Sequence, residues 1–195
     1  MSGDYSPFCV CPEASETCAG FDVDVARRLA TDLGVTLEIV RFQWSNLRQA
    51  LEDEKFDIVM SGTTMRPERL LFADFTRPYA VAGAVVLVMD KKRFSSMNAV
   101  NQTGVRLAVN AGGHLEQVAR SRFEAATILA IPKNMALPSF VAQKQAEALL
   151  TDSFEAPHFL ARTSSLTALP PFGRDRKAYM VRRTDGELRA WMDQW

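Results

Sequence analysis

The sequence has little of what metal sites, membrane spans and nucleic-acid surfaces require. It holds two histidines and three cysteines in 195 residues. The cysteines all lie within Cys9–Cys18, and a closed zinc site needs a fourth ligand that this window lacks. Lys+Arg and Asp+Glu both number 23, so no net charge favours nucleic acid or an anionic membrane. We therefore expect no metal, no cofactor and no nucleic-acid partner.

Long hydrophobic runs and catalytic signatures are also missing. The longest apolar run, Tyr79–Met89, is well short of the roughly 20 residues that span a bilayer and is typical of a buried strand. Met1 is followed by Ser-Gly-Asp, which is not the start of a signal peptide. GxGxxG, P-loop and HExxH motifs are absent, and His114 and His158 have no companions at ligand spacing. These absences make nucleotide-binding, hydrolase and metalloenzyme functions poor interpretations.

The cysteine window leaves the redox state open. In an oxidising compartment a Cys11–Cys18 or a Cys9–Cys18 bridge would staple a hairpin. Three free thiols are the alternative, and the count alone does not decide the compartment.

The rest of the chain is organised around the stretch Phe56–Arg69. Phe56–Met60 predicts a short buried strand, and Ser61-Gly62-Thr63-Thr64 follows with hydroxyls and exposed N–H groups. Pro67 suits the first turn of a helix. A strand that delivers hydroxyls, N–H groups and an arginine to one place can bind a carboxylate. The alternative is an ordinary strand, turn and solvated helix start.

Strands and helices alternate along the whole sequence. Apolar spacing predicts a helix over Phe21–Leu33 that ends at Gly34, a strand over Val35–Phe42, and a helix from Ser45, as N-cap, to about Asp53. Further strands are predicted at 80–89, 105–109, 126–131, 148–150, 166–169 and 178–181, and further helices at 115–123, 137–145 and 185–195, the last with Asp185 as its cap. The pattern predicts βαβ units with mostly parallel sheets, arranged as two α/β lobes around a cleft.

Two turns after predicted strands carry further candidate residues. Asn110-Ala111-Gly112-Gly113-His114 would expose N–H groups at a helix N-terminus, where an anion can bind; an ordinary βα turn is the alternative. Thr151-Asp152-Ser153-Phe154-Glu155 is typical of a capped helix start. The functional alternative is that Asp152 holds an ammonium or hydroxyl and Glu155 acts as an acid.

Several motifs occur in an order that resembles a known family. They are Ala19–Asp24, Trp44, Phe56–Gly62, Pro67–Arg69, Phe75–Tyr79 and Thr151-Asp152. Together they resemble the bacterial extracellular solute-binding proteins that deliver polar amino acids to ABC transporters. The resemblance covers nearly the whole chain. It implies the type II periplasmic-binding-protein fold, with lobe 1 at 1–87 plus 178–195 and lobe 2 at 88–177, and a periplasmic location.

The resemblance also implies roles for particular residues. Arg69 would clamp a ligand carboxylate, Trp44 would cover the ligand, and Asp152 would take an amino group. The full set of candidate ligand-binding residues is Asp4, Trp44, Ser61, Gly62, Thr64, Arg69, Asn110, Gly112, Gly113, His114 and Asp152. The implied partner is a small carboxylate or amino acid, together with an ABC transporter permease if the protein is a receptor.

One enzymatic branch, cyclohexadienyl dehydratase, resembles the chain more closely at several stretches, such as Thr151–Ala156, Lys177–Tyr179 and Asp193–Trp195. Glu155 matches the general acid of that enzyme, so the catalytic candidate is Glu155. Ala84 and His114 depart from its pattern, where the enzyme has a lysine and a threonine. Lyase and receptor therefore both remain open. The resemblance further implies a first strand before Gly3 and additional C-terminal helices, so that the chain looks truncated at both ends.

Overall fold

The computed structural model describes residues 1–12 and 17–195. The described residues form two compact units. Unit 1 comprises Met1–Val81 and Asp175–Trp195, and unit 2 comprises Ala82–Arg174. The chain leaves unit 1 and returns to it once, so unit 2 is an insertion within the sequence of unit 1.

The strands, in chain order, are β1 (Asp4–Tyr5), β2 (Cys9–Val10), β3 (Ile58–Val59), β4 (Ala73–Phe75), β5 (Ala80–Val88), β6 (Arg106–Asn110), β7 (Thr127–Ile131), β8 (Ala148–Asp152), β9 (Thr167–Ala168), β10 (Phe172–Lys177) and β11 (Met180–Arg182). The α-helices are α1 (Phe21–Leu33), α2 (Leu47–Glu52), α3 (Met97–Val100), α4 (His114–Arg122), α5 (Leu137–Ala142), α6 (Ala156–Arg162) and α7 (Gly186–Gln194). Short 3-10 helices occupy Trp44–Asn46, Pro67–Leu71 and Asn134–Ala136.

Helix α1 matches the sequence prediction at both ends. Its buried face includes Val23, Ala26 and Leu29, which recur at helical spacing. Gly34 adopts the left-handed conformation, with φ of 68°, and its N–H bonds back to the last turn. A residue with a Cβ would be strained there, so glycine ends the helix at this position.

The prediction of a strand over Val35–Phe42 is wrong. Residues 35–42 belong to no strand of the described chain, although their side chains alternate between apolar and polar. A ladder needs a neighbouring backbone, and the alternation of side chains does not supply one.

The prediction for the helix that follows needs a smaller correction. A 3-10 turn starts at Trp44 with Gln43, rather than Ser45, as its N-cap residue, and the side chain of Asn46 accepts a hydrogen bond from the Gln43 N–H.

Unit 1 is built on a three-stranded sheet in the order β3-β11-β4. Strand β11 is central and antiparallel to both neighbours, with Met180 opposite Val59 on one side and Phe75 on the other. Met180 is fully buried. The short strand β4 was not predicted from the sequence. Since β11 comes from the end of the chain, this sheet joins the two segments of unit 1 that are far apart in the sequence.

Unit 2 is built on a larger sheet in the order β10-β5-β8-β6-β7, with β9 also paired to β5. Strands β6, β7 and β8 are parallel, whereas β5 runs antiparallel to β8. Both faces are covered by apolar clusters, one containing Val86 and Leu107 and the other Leu87 and Leu149. Burial on both faces explains the unbroken apolar run in β5.

One prediction is corrected in unit 2, and one in unit 1 is confirmed for the residue but not for its side-chain bond. Thr151 and Asp152 complete strand β8 and do not begin a helix; α6 starts at Ala156 with Glu155 as its N-cap residue. In α7 Asp185 is the N-cap residue, but its side chain makes no capping hydrogen bond.

The cysteine window contains the bridge Cys11–Cys18, which is one of the two pairings that the sequence left open. Cys9 is a buried free thiol. The predicted hairpin over Cys9–Cys18 lies partly outside the described residues.

Candidate functional site

Arg69 is a buried cation in the segment that connects β3 to β4, within the 3-10 helix Pro67–Leu71. Its residue is 6% exposed, and Nη1 donates a 2.9 Å hydrogen bond to the carbonyl of Thr64. Its guanidinium lies 5.4 Å from the centre of the Trp44 ring. No carboxylate among the described residues forms an ion pair with it. Burial, followed by the neighbouring charge of Arg66, lowers the pKa of Arg69 to about 10, while Glu68 acts in the opposite direction.

A buried charge normally has a partner of opposite sign, because desolvation otherwise opposes its charged form. The cation–π contact with Trp44 gives only partial compensation. Arg69 therefore has the features of an anion-binding group, with a planar fork suited to a carboxylate. Pro67, in the first turn of the 3-10 helix, helps to fix the direction from which Arg69 projects.

The loop Ser61–Thr64 is held tightly by groups within unit 1. The Ser61 hydroxyl accepts from the Ser2 N–H and lies 2.8 Å from the Ser2 hydroxyl. Gly62 has φ of 57°, and a Cβ there would collide with the ring of Tyr5. The close packing explains why this position takes glycine. The Ser61 hydroxyl and the Gly62 N–H thus have protein partners, whereas the sequence analysis assigned them to a ligand.

A buried carboxylate that the sequence analysis missed supports this loop. Asp22 Oδ2 accepts a 2.6 Å bond from the Gly62 N–H, and its carboxylate also accepts from the hydroxyls of Tyr79 and Tyr179. Burial raises the pKa of Asp22 to about 6, and hydrogen bonds from Gly62 and the two tyrosines limit the rise. Burial and the charge of Asp22 raise the pKa of both tyrosine hydroxyls.

Lys177 holds the other end of the same loop and was also missed as a site residue. Its Nζ donates to the Tyr5 hydroxyl at 2.9 Å and to Thr64 Oγ1 at 3.0 Å. Thr64 therefore accepts a hydrogen bond from Lys177 at its hydroxyl and another from Arg69 at its carbonyl. The sequence signals for these groups were Asp22, within the motif Ala19–Asp24, and Lys177, within the motif Lys177–Tyr179. Neither motif shows which residues lie in contact.

Glu155 is the buried acid of unit 2, and the residue is 1% exposed. Its Oε1 accepts a 2.6 Å bond from the Asn134 amide, and its Oε2 accepts a 2.7 Å bond from the Thr151 hydroxyl. Thr151 lies at the end of β8, and Asn134 lies in the 3-10 turn before α5. Two separate elements therefore fix both carboxyl oxygens in one orientation.

Asp152 lies beside Glu155 and fixes the turn between β8 and α6. Its Oδ1 accepts from the N–H groups of Phe154 and Glu155, as in an Asx turn, but the N-cap residue of α6 is Glu155 and not Asp152. Asp152 is also opposite Ala84 in the antiparallel β5–β8 pair. Ala84 is buried, so this departure from the dehydratase pattern lies directly next to Asp152.

The Asn110–His114 turn joins β6 to α4, as the sequence predicted. The Gly112 N–H donates a 2.7 Å bond to Oε2 of Glu116 in the first turn of α4, and Gly113 is the N-cap residue. A carboxylate of the protein thus already accepts from one N–H group that was predicted to bind an anion.

Within unit 1, the structure brings together Trp44, Thr64 and Arg69. Within unit 2, it brings together Asp152 and Glu155. Asp4 lies in β1, opposite Val10.

Among the described residues, no helix has the length and apolar character to cross a membrane.

Comparisons with known proteins agree on one family. The sequence profile of the bacterial extracellular solute-binding proteins, family 3, matches residues 1–195. The chain is 36% identical over 199 residues to cyclohexadienyl dehydratase of Pseudomonas aeruginosa, an alignment that covers 100% of this chain and 74% of the enzyme. It is 30% identical over 116 residues to the arginine-binding extracellular protein ArtP of Bacillus subtilis, which covers 60% of this chain and 44% of that protein.

Solved structures give the same result for the fold. An ancestral amino acid-binding protein, described as a precursor of cyclohexadienyl dehydratase, superposes with a TM-score of 0.91 at 33% identity, covering 100% of this chain and 85% of that one. The holo arginine-binding protein of T. maritima superposes with a TM-score of 0.87 at 27% identity, covering 99% and 85%. The predicted type II periplasmic-binding-protein fold is thereby confirmed, and the chain belongs to family 3 of the bacterial extracellular solute-binding proteins.

Proposed function

We propose that the protein binds a small carboxylate through Arg69 and converts it as a cyclohexadienyl dehydratase-like lyase, with Glu155 as the proton donor. The observation that carries the binding step is the buried Arg69 guanidinium, which forms no ion pair with a described carboxylate. A ligand carboxylate would supply the missing charge in a site from which water is largely excluded. Trp44, against which the guanidinium already packs, would cover the ligand on one side.

The lyase step is supported by Glu155 and by the 36% identity to a dehydratase over the full chain. In prephenate the ring hydroxyl leaves as water after it gains a proton, and the C–O bond breaks. The electrons of the bond to the departing carboxylate then aromatise the ring as carbon dioxide is released. A carboxyl group held in one orientation can transfer a proton without rearrangement. For this step Glu155 carries the proton on one oxygen, which is compatible with Thr151 because a hydroxyl can accept as well as donate.

The test is to incubate the purified protein with prephenate and follow the formation of phenylpyruvate. We expect turnover by the wild-type protein and none by Glu155→Gln, since glutamine has no acidic proton to donate. Glu155→Gln should still be stabilised thermally by prephenate, because Arg69 is intact. Folded wild-type protein that binds prephenate without turnover would contradict the lyase proposal and leave the binding proposal in place.

Glu124→Gln is the matched control, because Glu124 is an exposed carboxylate of the same unit. It should turn over prephenate as the wild type does. A loss of activity in both variants would indicate a general loss of structure, and not the loss of an acid.

The second candidate is an amino-acid receptor of an ABC transporter in the periplasm or at the cell surface. The specific observation in its favour is Ala84, opposite Asp152, where the dehydratase pattern has a lysine. Relatives with this fold include receptors, among them L-cystine-binding and arginine-binding proteins. The partner would then be a transporter permease.

A thermal-shift screen separates the two functions. Stabilisation by an amino acid, with no shift and no turnover on prephenate, would favour the receptor. If the missing lysine limits an otherwise competent lyase, Ala84→Lys should raise the turnover of prephenate. An inactive Ala84→Lys variant that still binds amino acids would support the receptor again.

A further inference from the structure

Lys177 is a second buried cation of unit 1, and it shares a contact residue with Arg69. Lys177 is 4% exposed. Its Nζ donates a 3.0 Å hydrogen bond to Thr64 Oγ1, and Nη1 of Arg69 donates a 2.9 Å bond to the carbonyl oxygen of the same threonine. Two positively charged groups therefore contact one residue, at its hydroxyl and at its carbonyl.

The backbone fixes the position of this contact. Thr64 and Lys177 face each other as an antiparallel bridge. The Ala178 N–H donates a 3.0 Å bond to the carbonyl of Thr63, and the carbonyl of Lys177 accepts a 2.9 Å bond from the Tyr79 N–H. Main-chain bonds thus hold both segments, so the contact between the two side chains is built into unit 1.

The two cations differ in what surrounds them. Lys177 also donates to the Tyr5 hydroxyl at 2.9 Å. Asp22 lies close enough to feel its charge: burial raises the pKa of Asp22 to about 6, and Lys177 is among the groups that lower it. Arg69 forms no ion pair with a described carboxylate. A ligand carboxylate is therefore expected at Arg69, whereas the contacts of Lys177 are made within unit 1.

The contact with Lys177 decides how the Thr64 hydroxyl can be used. A hydroxyl has one proton to donate and two lone pairs that can accept. One lone pair of Thr64 accepts from the ammonium, and no group among the described residues accepts its proton. Because an ammonium has only protons to offer, the Thr64 proton points away from Lys177. It is available to an oxygen atom of a ligand.

A ligand ammonium at the same place would be in a poor environment. It would need the remaining lone pair of Thr64, and it would lie beside the Lys177 ammonium and near the Arg69 guanidinium. Like charges repel, and they do so more strongly where water is excluded, as it is from residues that are 4 to 6% exposed. A ligand oxygen would meet a hydroxyl proton and two positive charges. The surroundings of Thr64 therefore favour an oxygen over an ammonium.

We propose that Lys177, by orienting the Thr64 hydroxyl, makes the site selective for 2-oxo acids over 2-amino acids. This inference rests on the proposed function, since it requires that Arg69 binds the ligand carboxylate. The oxo or amino group is attached to the carbon next to that carboxylate, so it lies beside Thr64. Prephenate is a 2-oxo acid, and arogenate has an ammonium in place of its oxo group. Prephenate is then the preferred substrate of the two.

The experiment compares phenylpyruvate with phenylalanine, which differ only at this group, by calorimetric titration of the 195-residue chain. Neither compound has a hydroxyl to lose, so the measurement does not depend on turnover. At neutral pH we expect phenylpyruvate to bind more tightly by about tenfold or more. 3-Phenylpropanoate, which has neither group, should lie between them. Equal affinities, or a preference for phenylalanine, would overturn the proposal.

The ratio of the two affinities tests the role of Lys177. Lys177→Met keeps the length of the side chain and removes the charge, so the ratio should fall to about threefold or less. A purely structural defect would weaken both ligands alike, and an unchanged ratio would therefore overturn the role of Lys177. Lys55→Met, at an exposed lysine of the same unit, is the matched control and should keep the wild-type ratio.

Thr64→Val provides a second variant in case Lys177→Met does not fold. Valine keeps the shape of threonine and removes the hydroxyl, so the affinity for phenylpyruvate should fall more than that for phenylalanine. Equal losses would contradict a bond between the hydroxyl and the oxo group.

Turnover separates this inference from the proposed function. The wild type should have a kcat/KM for prephenate at least about tenfold above that for arogenate. Equal turnover of the two would overturn the selectivity and leave the lyase proposal in place. Selective binding of phenylpyruvate without any turnover of prephenate would support the selectivity and contradict the lyase.

Discussion

Arg69 in unit 1 and Glu155 in unit 2 are both buried ionisable groups that the sequence singled out, but their surroundings differ. In unit 1, Arg69 donates to one carbonyl and packs on Trp44, with no carboxylate of the described chain as its partner. In unit 2, both oxygens of Glu155 are held by Asn134 and Thr151. The contrast teaches that burial alone does not identify a binding group. Arg69 has no counter-charge among the described residues, whereas both oxygens of Glu155 accept hydrogen bonds from its own unit.

The largest expected effect is on ligand binding by Arg69→Met. Loss of a charged, two-pronged contact should weaken binding of the best ligand from the thermal-shift screen by about 3 kcal/mol, or about 100-fold. The free energy of unfolding without ligand should fall by no more than about 1 kcal/mol, because the removed cation was costly to bury. Calorimetric titration and urea unfolding measure the two quantities. A large loss of stability without a loss of affinity would show that Arg69 is a structural group.

The next effect is a pH dependence that belongs to unit 1. The pKa of Asp22 is raised from 3.8 to about 6, so between these values the unfolded chain has released a proton that the folded chain still holds. Stability from this group is therefore greatest below pH 4, falls by about 3 kcal/mol as the pH rises to 6, and is constant above it. Asp22→Asn should remove this slope while it keeps an acceptor for the Gly62 N–H.

The amino group of Met1 acts in a different window. Its pKa is lowered from 8.0 to about 6, so its contribution to stability rises with pH between 6 and 8. Urea unfolding of the wild type and of Asp22→Asn across pH 4 to 8 separates the groups, because both proteins carry Met1. Equal slopes below pH 6 would show that Asp22 is not the titrating group.

Glu155 gives the matching test in unit 2. Glu155→Ala leaves the amide of Asn134 and the hydroxyl of Thr151 without this acceptor, and we expect a loss of about 2 to 3 kcal/mol of unfolding free energy. Glu155→Gln keeps an oxygen for Asn134 and should lose less. Equal stability of the wild type and Glu155→Ala would mean that the two bonds contribute little, and the contrast between the units would then disappear.

The smallest effect is expected for Trp44→Leu. Leucine keeps apolar contact but removes the ring face over the guanidinium, a contribution of about 1 kcal/mol. Ligand affinity should fall by roughly five- to tenfold. Trp44→Phe is the control, since it keeps a ring and should bind more tightly than the leucine variant. No difference between the two would show that the cation–π contact does not contribute.

The sequence predicted features that depend on neighbouring residues. Helix α1, its end at Gly34 and the strand β5 all follow from local patterns. The ordered motifs singled out Trp44 and Arg69 as ligand contacts, but not the contact of the guanidinium with the Trp44 ring. The network around Asp22 was not predictable, because Tyr179 lies 157 residues away from it in the chain. The strand prediction for residues 35–42 failed for a related reason. Side-chain alternation reports which faces are apolar, but a ladder also needs a second backbone.

The arrangement of the sheet in unit 1 has a consequence for the order in which the protein folds during synthesis. Residues 82–174 form one continuous segment, so unit 2 can fold as soon as it leaves the ribosome. Unit 1 must wait, because its central strand β11 is made of Met180–Arg182 and joins β3 to β4. Until those residues emerge, both strands have open edges, and the unit that carries Arg69 is the last to be completed.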